Sequence, residues 1–251
     1  SEIPQTFTTL YVKTAGDNTV MTTAQMKSVA DAVLALAAPA TVDFSEVVYE
    51  STTFPNSFKS NANLAGIVFP QNVTATASAA FQKTGMTSVT VLKDISYGSN
   101  AFDSCASLVS VTVEEGVTEI GNYMFQNTKL TSVTLPNSVT KIGASAFNGC
   151  SLTTINFGQG VKTIENSAFQ NCGELTEIIL PDATETLGQN AFGDCPKLAK
   201  ISLGKNMKTL EAYCFVGYSK GCPLLGDIIC RATTPPTLKD DYGTGPFGGG
   251  W

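Results

Sequence analysis

The sequence predicts a repeat solenoid, a right-handed coil with one parallel β-sheet face, because one phenylalanine recurs at nearly constant spacing. Successive copies lie 21 to 23 residues apart, and a steady period of this length is typical of stacked coils. Before each copy, two apolar residues alternate with polar ones, which indicates a β-strand with one buried face. The recurring residues are Phe58, Phe81, Phe102, Phe125, Phe147, Phe169, Phe192 and Phe215.

Each repeat has the same order of segments, and residues 130–150 (LTSVTLPNSVTKIGASAFNGC) show it clearly. Leucine precedes a strand, a turn rich in Pro, Asn, Asp or Gly follows, and a second apolar pair leads into Ala-Phe. The last piece is too short for a full helix, so we expect one helical or 3₁₀ turn there. One unit cannot bury its own apolar face, whereas about eight stacked units can. In this repeat the segments are Val133/Leu135, Pro136-Asn137, Val139/Ile142 and Ala146-Phe147.

The repeated motif L-x-x-(V/I)-x-(L/F)-P…V-x-x-I-G-x-x-A-F-x-x-C resembles the BspA-like leucine-rich repeat. This family comprises 22–23-residue repeats of bacterial surface proteins and some protist ones, and the resemblance covers roughly residues 45–235. It implies a leucine-rich-repeat fold and a secreted or cell-surface protein without a cofactor. It also implies adhesion to a protein partner, such as a host matrix protein or a protein of a neighbouring cell.

Three regions are expected: an N-terminal strand and capping helix over 1–44, the solenoid over 45–235, and a Gly-rich tail over 236–251. The helix is predicted from Thr22, which forms a T-x-x-Q capping box with Gln25, to Ala38. Its apolar stripe covers the open end of the first coil, as terminal units of solenoids require. Binding of a partner by this stripe is the alternative. Met26, Val29, Val33 and Leu36 form the stripe.

Both ends of the chain carry further expectations. The sequence begins with Ser1 rather than Met, so we expect that a leader segment has been removed. The segment from Gly243 to Trp251 reads as a loop or linker, and Trp251 as a terminal packing residue or a ligand-stacking aromatic.

Composition disfavours several classes of function. The chain contains no histidine, which removes Ser-His and Cys-His catalytic pairs and histidine metal ligands. Its net charge is −6 and Lys and Arg are not clustered, so nucleic acid is not an expected partner. No apolar run is long enough to cross a membrane. We expect a non-catalytic protein without a metal.

Four cysteines follow the recurring phenylalanine by three residues, and Thr84 and Thr128 hold the same position in other repeats. Alternation between Cys and Thr indicates a small buried niche, with metal or redox chemistry as the alternative. A disulfide within Cys214, Cys222 and Cys230, which lie outside this series, is left open. The four are Cys105, Cys150, Cys172 and Cys195.

Two further motifs have ordinary explanations. Gly121, Gly143 and Gly188 recur once per repeat without a phosphate-binding motif around them, so they are interpreted as turn residues. Asn72-Val73-Thr74 matches a glycosylation triplet, which matters only in a eukaryotic secretory pathway.

The solvent side of the predicted strands is the candidate partner-binding face. Its N-terminal half carries Ser and Thr, whereas its C-terminal half carries charged and apolar residues. Such a face suits an extended partner, although polar strand residues are also ordinary solvent-facing ones. A passive spacer and a glycan-recognition accessory are the alternatives, and the face lacks the aromatic platforms expected of a sugar cleft. The candidate residues are Thr154, Asn156, Glu177, Ile179, Lys200, Ser202 and Asp227.

Overall fold

The computed structural model describes residues 8–13, 20–216 and 221–239, which form a parallel β-solenoid of about eight turns. Each coil contributes a strand to one side of the solenoid, here called the strand face. These strands are β1 (Thr8–Tyr11), β2 (Ala40–Asp43), β4 (Leu64–Val68), β6 (Ser88–Val91), β7 (Ser110–Val113), β9 (Ser132–Thr134), β11 (Thr154–Asn156), β13 (Glu177–Ile179), β15 (Lys200–Leu203) and β17 (Asp227–Cys230).

A second side is built from two-residue strands. The last six of them form one continuous parallel sheet in the order β18-β16-β14-β12-β10-β8, and β3 pairs with β5. These strands are β3 (Thr53–Phe54), β5 (Ala75–Thr76), β8 (Glu119–Ile120), β10 (Lys141–Ile142), β12 (Thr163–Ile164), β14 (Thr186–Leu187), β16 (Thr209–Leu210) and β18 (Thr237–Leu238).

The recurring phenylalanines form the centre of the core, as predicted. All eight are at most 1% exposed. From Phe81 to Phe192 consecutive rings stack with centroids 5.2 to 5.6 Å apart. Stacking places each ring on its equivalent in the next coil, so the period of the sequence becomes the spacing of the solenoid.

The expected helical or 3₁₀ turn is present as short hydrogen-bonded turns around each phenylalanine. Around Phe147, the N–H of Asn148 donates to the carbonyl of Ser145 (3.2 Å), and that of Cys150 donates to Phe147 (3.2 Å). Ser145 and Gly149, which flank this phenylalanine, both have positive φ, 53° and 72°. The same pair of left-handed residues recurs in the neighbouring coils, which favours Asn, Ser, Asp and Gly at these positions.

The N-terminal helix α1 (Thr23–Leu34) begins where predicted and ends four residues before the predicted Ala38. Both hydrogen bonds of the capping box between Thr22 and Gln25 are formed. Met26 and Val33 are fully buried, so the stripe packs on the first coils as the capping interpretation requires.

At the N-terminal end the structure differs from the sequence prediction. The alternation of Val42 and Phe44 predicts that the first strand of the stack lies there, but β1 pairs outside β2 and is the end strand of the sheet. In the described ranges, no helix is long and apolar enough to cross a membrane. Trp251 and the tail beyond residue 239 lie outside the described residues.

Two of the recurring glycines are required by close contact between coils rather than by an unusual turn. A Cβ at Gly143 would lie 2.8 Å from the backbone nitrogen of Asn122, and one at Gly188 would lie 2.6 Å from that of Asn166. Neither glycine has positive φ. At Gly121 the nearest such atom would be 3.8 Å away, so that position tolerates a side chain.

Candidate functional site

The strand face presents the candidate residues in two parallel rows. In the first row Glu177 pairs in register with Lys200, which pairs with Asp227. In the second row Ile179 pairs with Ser202. The remaining two, Thr154 and Asn156, pair with the preceding strand β9. Five of the seven are exposed, while Lys200 and Ser202 are half-buried.

A break in the sheet separates these residues into two groups. Strands β9 and β11 form one small sheet, and β13, β15 and β17 form another, with no ladder between β11 and β13 in the described structure. On the other sides the same coils stay in contact: β12 pairs with β14, and the rings of Phe169 and Phe192 stack at 5.3 Å. The two coils therefore separate on the strand face and stay in contact on the other sides.

The side chain of Phe157 lines this opening. It occupies the second inward strand position, which is Leu135 in the coil before and Leu180 in the coil after. Both leucines are at most 3% exposed, whereas Phe157 is half-buried and packs edge-on against Phe169 at 5.7 Å. The ring is bulkier than leucine, and it stands partly outside the slot that leucine fills in the coils on either side.

The same substitution accompanies a second opening. Phe69 stands in the equivalent inward position of β4, and β4 and β6 also belong to separate sheets. A cavity of about 380 Å³ lies there. A phenylalanine at this position is not sufficient for a break, because Phe44 follows β2 in register with Phe69 and β2 stays paired with β4. It is not necessary either, because β7 and β9 lie in separate sheets with Val113 and Leu135 at this position.

The opening beside Phe157, here called the β11–β13 groove, encloses about 530 Å³, within the range of ligand pockets. It runs along both strands and continues into the turns that follow them. Its lining residues are Thr153, Thr154, Ile155, Asn156, Phe157, Gln159, Thr176, Glu177, Ile179, Leu180, Pro181, Asp182 and Arg231.

Charged residues lie on one wall of the groove. Glu177 pairs with Lys200 (2.8 Å), and Asp182 pairs with Lys205 (2.9 Å). The hydrogen bond from Lys205 is the main reason that the pKa of Asp182 is lowered, and the hydrogen bond to Glu177 is the main reason that the pKa of Lys200 is raised. All four side chains are at least 40% exposed, so these ion pairs contribute little to stability.

Arg231 closes the end of the groove and ties the last coil to earlier ones. Its guanidinium donates to the carbonyls of Leu180 (2.9 Å) and Leu203 (3.1 Å) and contacts the carboxylate of Asp182 (3.3 Å). Three of its nitrogens are therefore engaged with acceptors of the protein itself.

Four of the seven candidate residues line the groove: Thr154, Asn156, Glu177 and Ile179. Lys200, Ser202 and Asp227 lie on the next two strands. The alternation of Ile155 and Phe157 predicts that both face the core, and the sequence pattern does not identify Gln159, Asp182 and Arg231 as lining residues. The available signal was the phenylalanine in a slot that holds leucine on either side. It also supplies an aromatic ring that the face was expected to lack.

The four cysteines of the series are buried, as predicted, and their thiols also form a regular series of hydrogen bonds. In each, the thiol donates to the carbonyl of the phenylalanine one coil earlier, for example from Cys150 to Phe125 at 3.1 Å. Thr128 fills the same niche and donates to that carbonyl at 2.9 Å. Cys222 was placed outside the series but continues it, since its thiol donates to the carbonyl of Phe192 at 3.3 Å.

These thiols have no sign of reactivity. Burial raises the pKa of Cys150 and of Cys222 to about 11, and a thiol that stays protonated is a poor nucleophile and ligand. All seven cysteines are free, including Cys214, Cys222 and Cys230. Among the described residues, no group of three or more His, Cys, Asp or Glu could hold a metal ion.

Asn72 of the glycosylation triplet serves the fold. Its side-chain nitrogen donates to the carbonyl of Tyr49 at 2.7 Å, and its oxygen accepts from the N–H of the same residue at 2.9 Å. The amide that a glycan would modify is thus engaged in joining two coils.

Comparisons with known proteins agree with this architecture. No curated protein matches the chain. A leucine rich cell surface protein from Faecalibacterium prausnitzii is similar in structure, with 22% identity and a TM-score of 0.54, over 76% of this chain and 63% of that one. The chain thus spans less than two thirds of that protein. A leucine-rich repeat protein from Eubacterium ventriosum gives 20% identity and a TM-score of 0.49, over 83% and 69%.

The family model agrees with the repeat in the sequence. The BspA type leucine rich repeat region, in 6 copies, matches residues 25–105 and 95–221. These matches cover more than half of the chain and include most of the capping helix and of the coils, so the chain belongs to the BspA type leucine rich repeat family.

Proposed function

We propose that this chain is a non-catalytic module of a cell-surface or secreted protein that binds a protein partner through the C-terminal half of its strand face. The observation that carries the proposal is the β11–β13 groove, which opens where the face changes from Ser and Thr to Glu177 and Ile179. A uniform solenoid offers a flat row of short polar side chains, whereas this region adds shape, charge and apolar surface.

Other observations support parts of the proposal. The similar protein from Faecalibacterium prausnitzii is described as a cell surface protein, and repeat solenoids characteristically bind extended partners on one face. A binding function also fits the exposed Ile179, 58% of whose surface is accessible in a row of mostly polar residues. An exposed isoleucine beside a groove gives a partner apolar surface to bury.

The test is a pair of substitutions on the face, Ile179→Asp with Lys200→Glu. Surface changes usually alter stability by only about 0.5 kcal/mol, so binding and folding effects separate. We expect weaker binding of partner proteins, measured by surface plasmon resonance against a panel of matrix and cell-surface proteins, at an unchanged melting temperature.

The matched control is Val48→Asp with Lys208→Glu, away from the strand face. Val48 is 51% exposed, and Lys208 forms an inter-coil ion pair with Glu185 as Lys200 does with Glu177. If the control pair weakens binding and the face pair does not, the site assignment is wrong. A chain that binds no protein in the panel would favour the spacer, and one that binds only oligosaccharides would favour the glycan accessory.

A further inference from the structure

We propose that the cavity between strands β4 and β6, here called the β4–β6 cavity, binds an uncharged sugar residue of a glycan. The cavity lies in the N-terminal half of the strand face, apart from the β11–β13 groove, so it adds a second class of ligand to the proposed function. Three features point to a neutral sugar: an opening with an apolar floor, hydroxyl groups without protein partners, and a lining without charge.

The cavity forms where the strand ladder is interrupted. Strands β4 and β6 lie in separate sheets, and the register between β2 and β4 shifts at Ala40 and Thr41, as at a bulge. Bulges change the direction of a strand and are frequent next to active sites. The resulting volume of about 380 Å³ is within the range of ligand pockets.

Apolar side chains at the floor are open to the cavity. Ile67 and Val89 are half-buried, whereas Val133, at the same strand position in a later coil, is only 2% exposed. Beside them the half-buried rings of Phe69 and Tyr97 meet edge to face, with centroids 6.5 Å apart. A sugar ring has an apolar face of C–H groups, which packs well on aliphatic and aromatic surface of this kind.

Hydroxyl groups surround this floor. Six Ser and Thr side chains line the cavity, and among the described residues none of their hydroxyls has a hydrogen-bond partner in the protein. Farther along the face, by contrast, Thr153 donates to the carbonyl of Thr131, and Asn156 donates to Thr134. A hydroxyl donates one hydrogen bond and accepts two, as a sugar hydroxyl does, so this lining can replace the water that a sugar loses on binding. The six are Thr41, Thr87, Ser88, Thr90, Ser110 and Thr112.

The lining carries no charge. The described residues that form it include no Asp, Glu, Lys or Arg, whereas the β11–β13 groove contains Glu177, Asp182 and Arg231. Burial raises the pKa of Tyr97 to about 12, so its hydroxyl also stays neutral. A charged ligand group loses water on entering the cavity, and no opposite charge in the lining offsets that loss. Neutral sugars should therefore bind better than sugars that carry a carboxylate.

A glycan array with the full chain tests the proposal first. It carries neutral oligosaccharides of hexoses and N-acetylhexosamines, together with the same oligosaccharides bearing a sialic or uronic acid. We expect the chain to bind at least one neutral oligosaccharide. Isothermal titration calorimetry should show that it binds at least about tenfold more tightly than its acidic counterpart, a difference of about 1.4 kcal/mol. No saturable binding of any neutral oligosaccharide, or equal binding of a neutral one and its acidic counterpart, would overturn the proposal.

Ser88→Ala with Thr90→Val tests the location, because both hydroxyls line the cavity. We expect the neutral oligosaccharide to bind at least about tenfold more weakly, since the groups that hydrogen-bond its hydroxyls are removed. The matched control is Ser132→Ala with Thr134→Val, the same changes in the same S-V-T sequence of β9, outside the cavity. All four side chains are exposed, so thermal melts should be nearly unchanged in both variants. Equal losses of affinity in both variants, or in neither, would contradict the assignment.

The same variants separate this site from the protein-binding site. Ile179→Asp with Lys200→Glu should leave the affinity for the oligosaccharide unchanged. If a protein binds through the C-terminal half of the face and no oligosaccharide binds, the proposed function stands and the sugar site is wrong. If oligosaccharides bind in the cavity and no protein binds, the sugar site stands and the proposed function fails. If Ser88→Ala with Thr90→Val instead abolishes binding of an unglycosylated protein, the cavity belongs to a protein interface and the sugar site is wrong.

Discussion

Replacing one ring of the phenylalanine series tests the basis of the fold most directly. Phe147 is fully buried and stacks on Phe125 at 5.5 Å and on Phe169 at 5.2 Å. Each aromatic pair contributes about 0.5–1.5 kcal/mol beyond its buried area, and burial of the ring itself contributes about 1.5–3 kcal/mol. Phe147→Ala should therefore lower the free energy of unfolding by about 3–5 kcal/mol, as aromatic truncations in cores do.

Urea unfolding and thermal melts measure this loss. For a chain of this length, the melting temperature should fall by roughly 6–20 °C, at about 2–4 °C for each kcal/mol. Tyr11→Ala is the control, since Tyr11 is 71% exposed and its removal should change stability by only about 0.5 kcal/mol. A shift of one degree or less in Phe147→Ala would refute the conclusion that the stacked rings hold the coils together.

Two further predictions concern the contacts between coils. Gly188→Ala should destabilise the protein by about 1–3 kcal/mol, because its Cβ would lie 2.6 Å from the backbone nitrogen of Asn166. Gly121→Ala is the control and should be neutral or slightly stabilising, because the nearest atom to its Cβ would be 3.8 Å away. Equal effects of the two substitutions in urea unfolding would disprove the packing explanation. Burial raises the pKa of the Cys150 thiol from an ordinary 9.0 to about 11. As the pH rises, the thiol therefore loses its proton at a lower pH in the unfolded chain than in the folded one, so the free energy of unfolding should fall between pH 9 and pH 11. Cys150→Thr, which copies Thr128, should remove up to about 3 kcal/mol of that fall, and an unchanged pH profile would contradict the assignment.

Much of the fold could be predicted from the sequence because its determinants are local and repeated. The period predicts the solenoid, the alternation of Val133 and Leu135 predicts a strand, and the T-x-x-Q motif at Thr22 predicts where the helix begins. Each signal recurs or has a known local geometry, so one misread residue does not change the result. The end of the helix was predicted less well, because no strong stop signal lies between Leu34 and Pro39.

The groove could not be predicted, because it depends on a difference between neighbouring coils rather than on their common pattern. Phe157 satisfies the apolar pattern as well as Leu135 does, so periodicity treats the two as equivalent. Only side-chain volume distinguishes them, and the effect of volume depends on the coil on either side. The position of Arg231 at the groove could not be predicted either, since it depends on a hydrogen bond to a carbonyl 51 residues earlier in the chain.

The distribution of regular and irregular contacts explains how such a groove can exist without loss of the fold. The phenylalanine stack and the second sheet are continuous through the coils that the groove divides. They supply the buried area and the hydrogen bonds that keep these coils together, so the strand face there can open locally. In a solenoid each coil depends on its immediate neighbours, and an opening between two coils leaves the others unchanged. Shape on the strand face can thus vary through single residues at the second inward strand position, which holds Phe, Val, Leu or Cys in different coils.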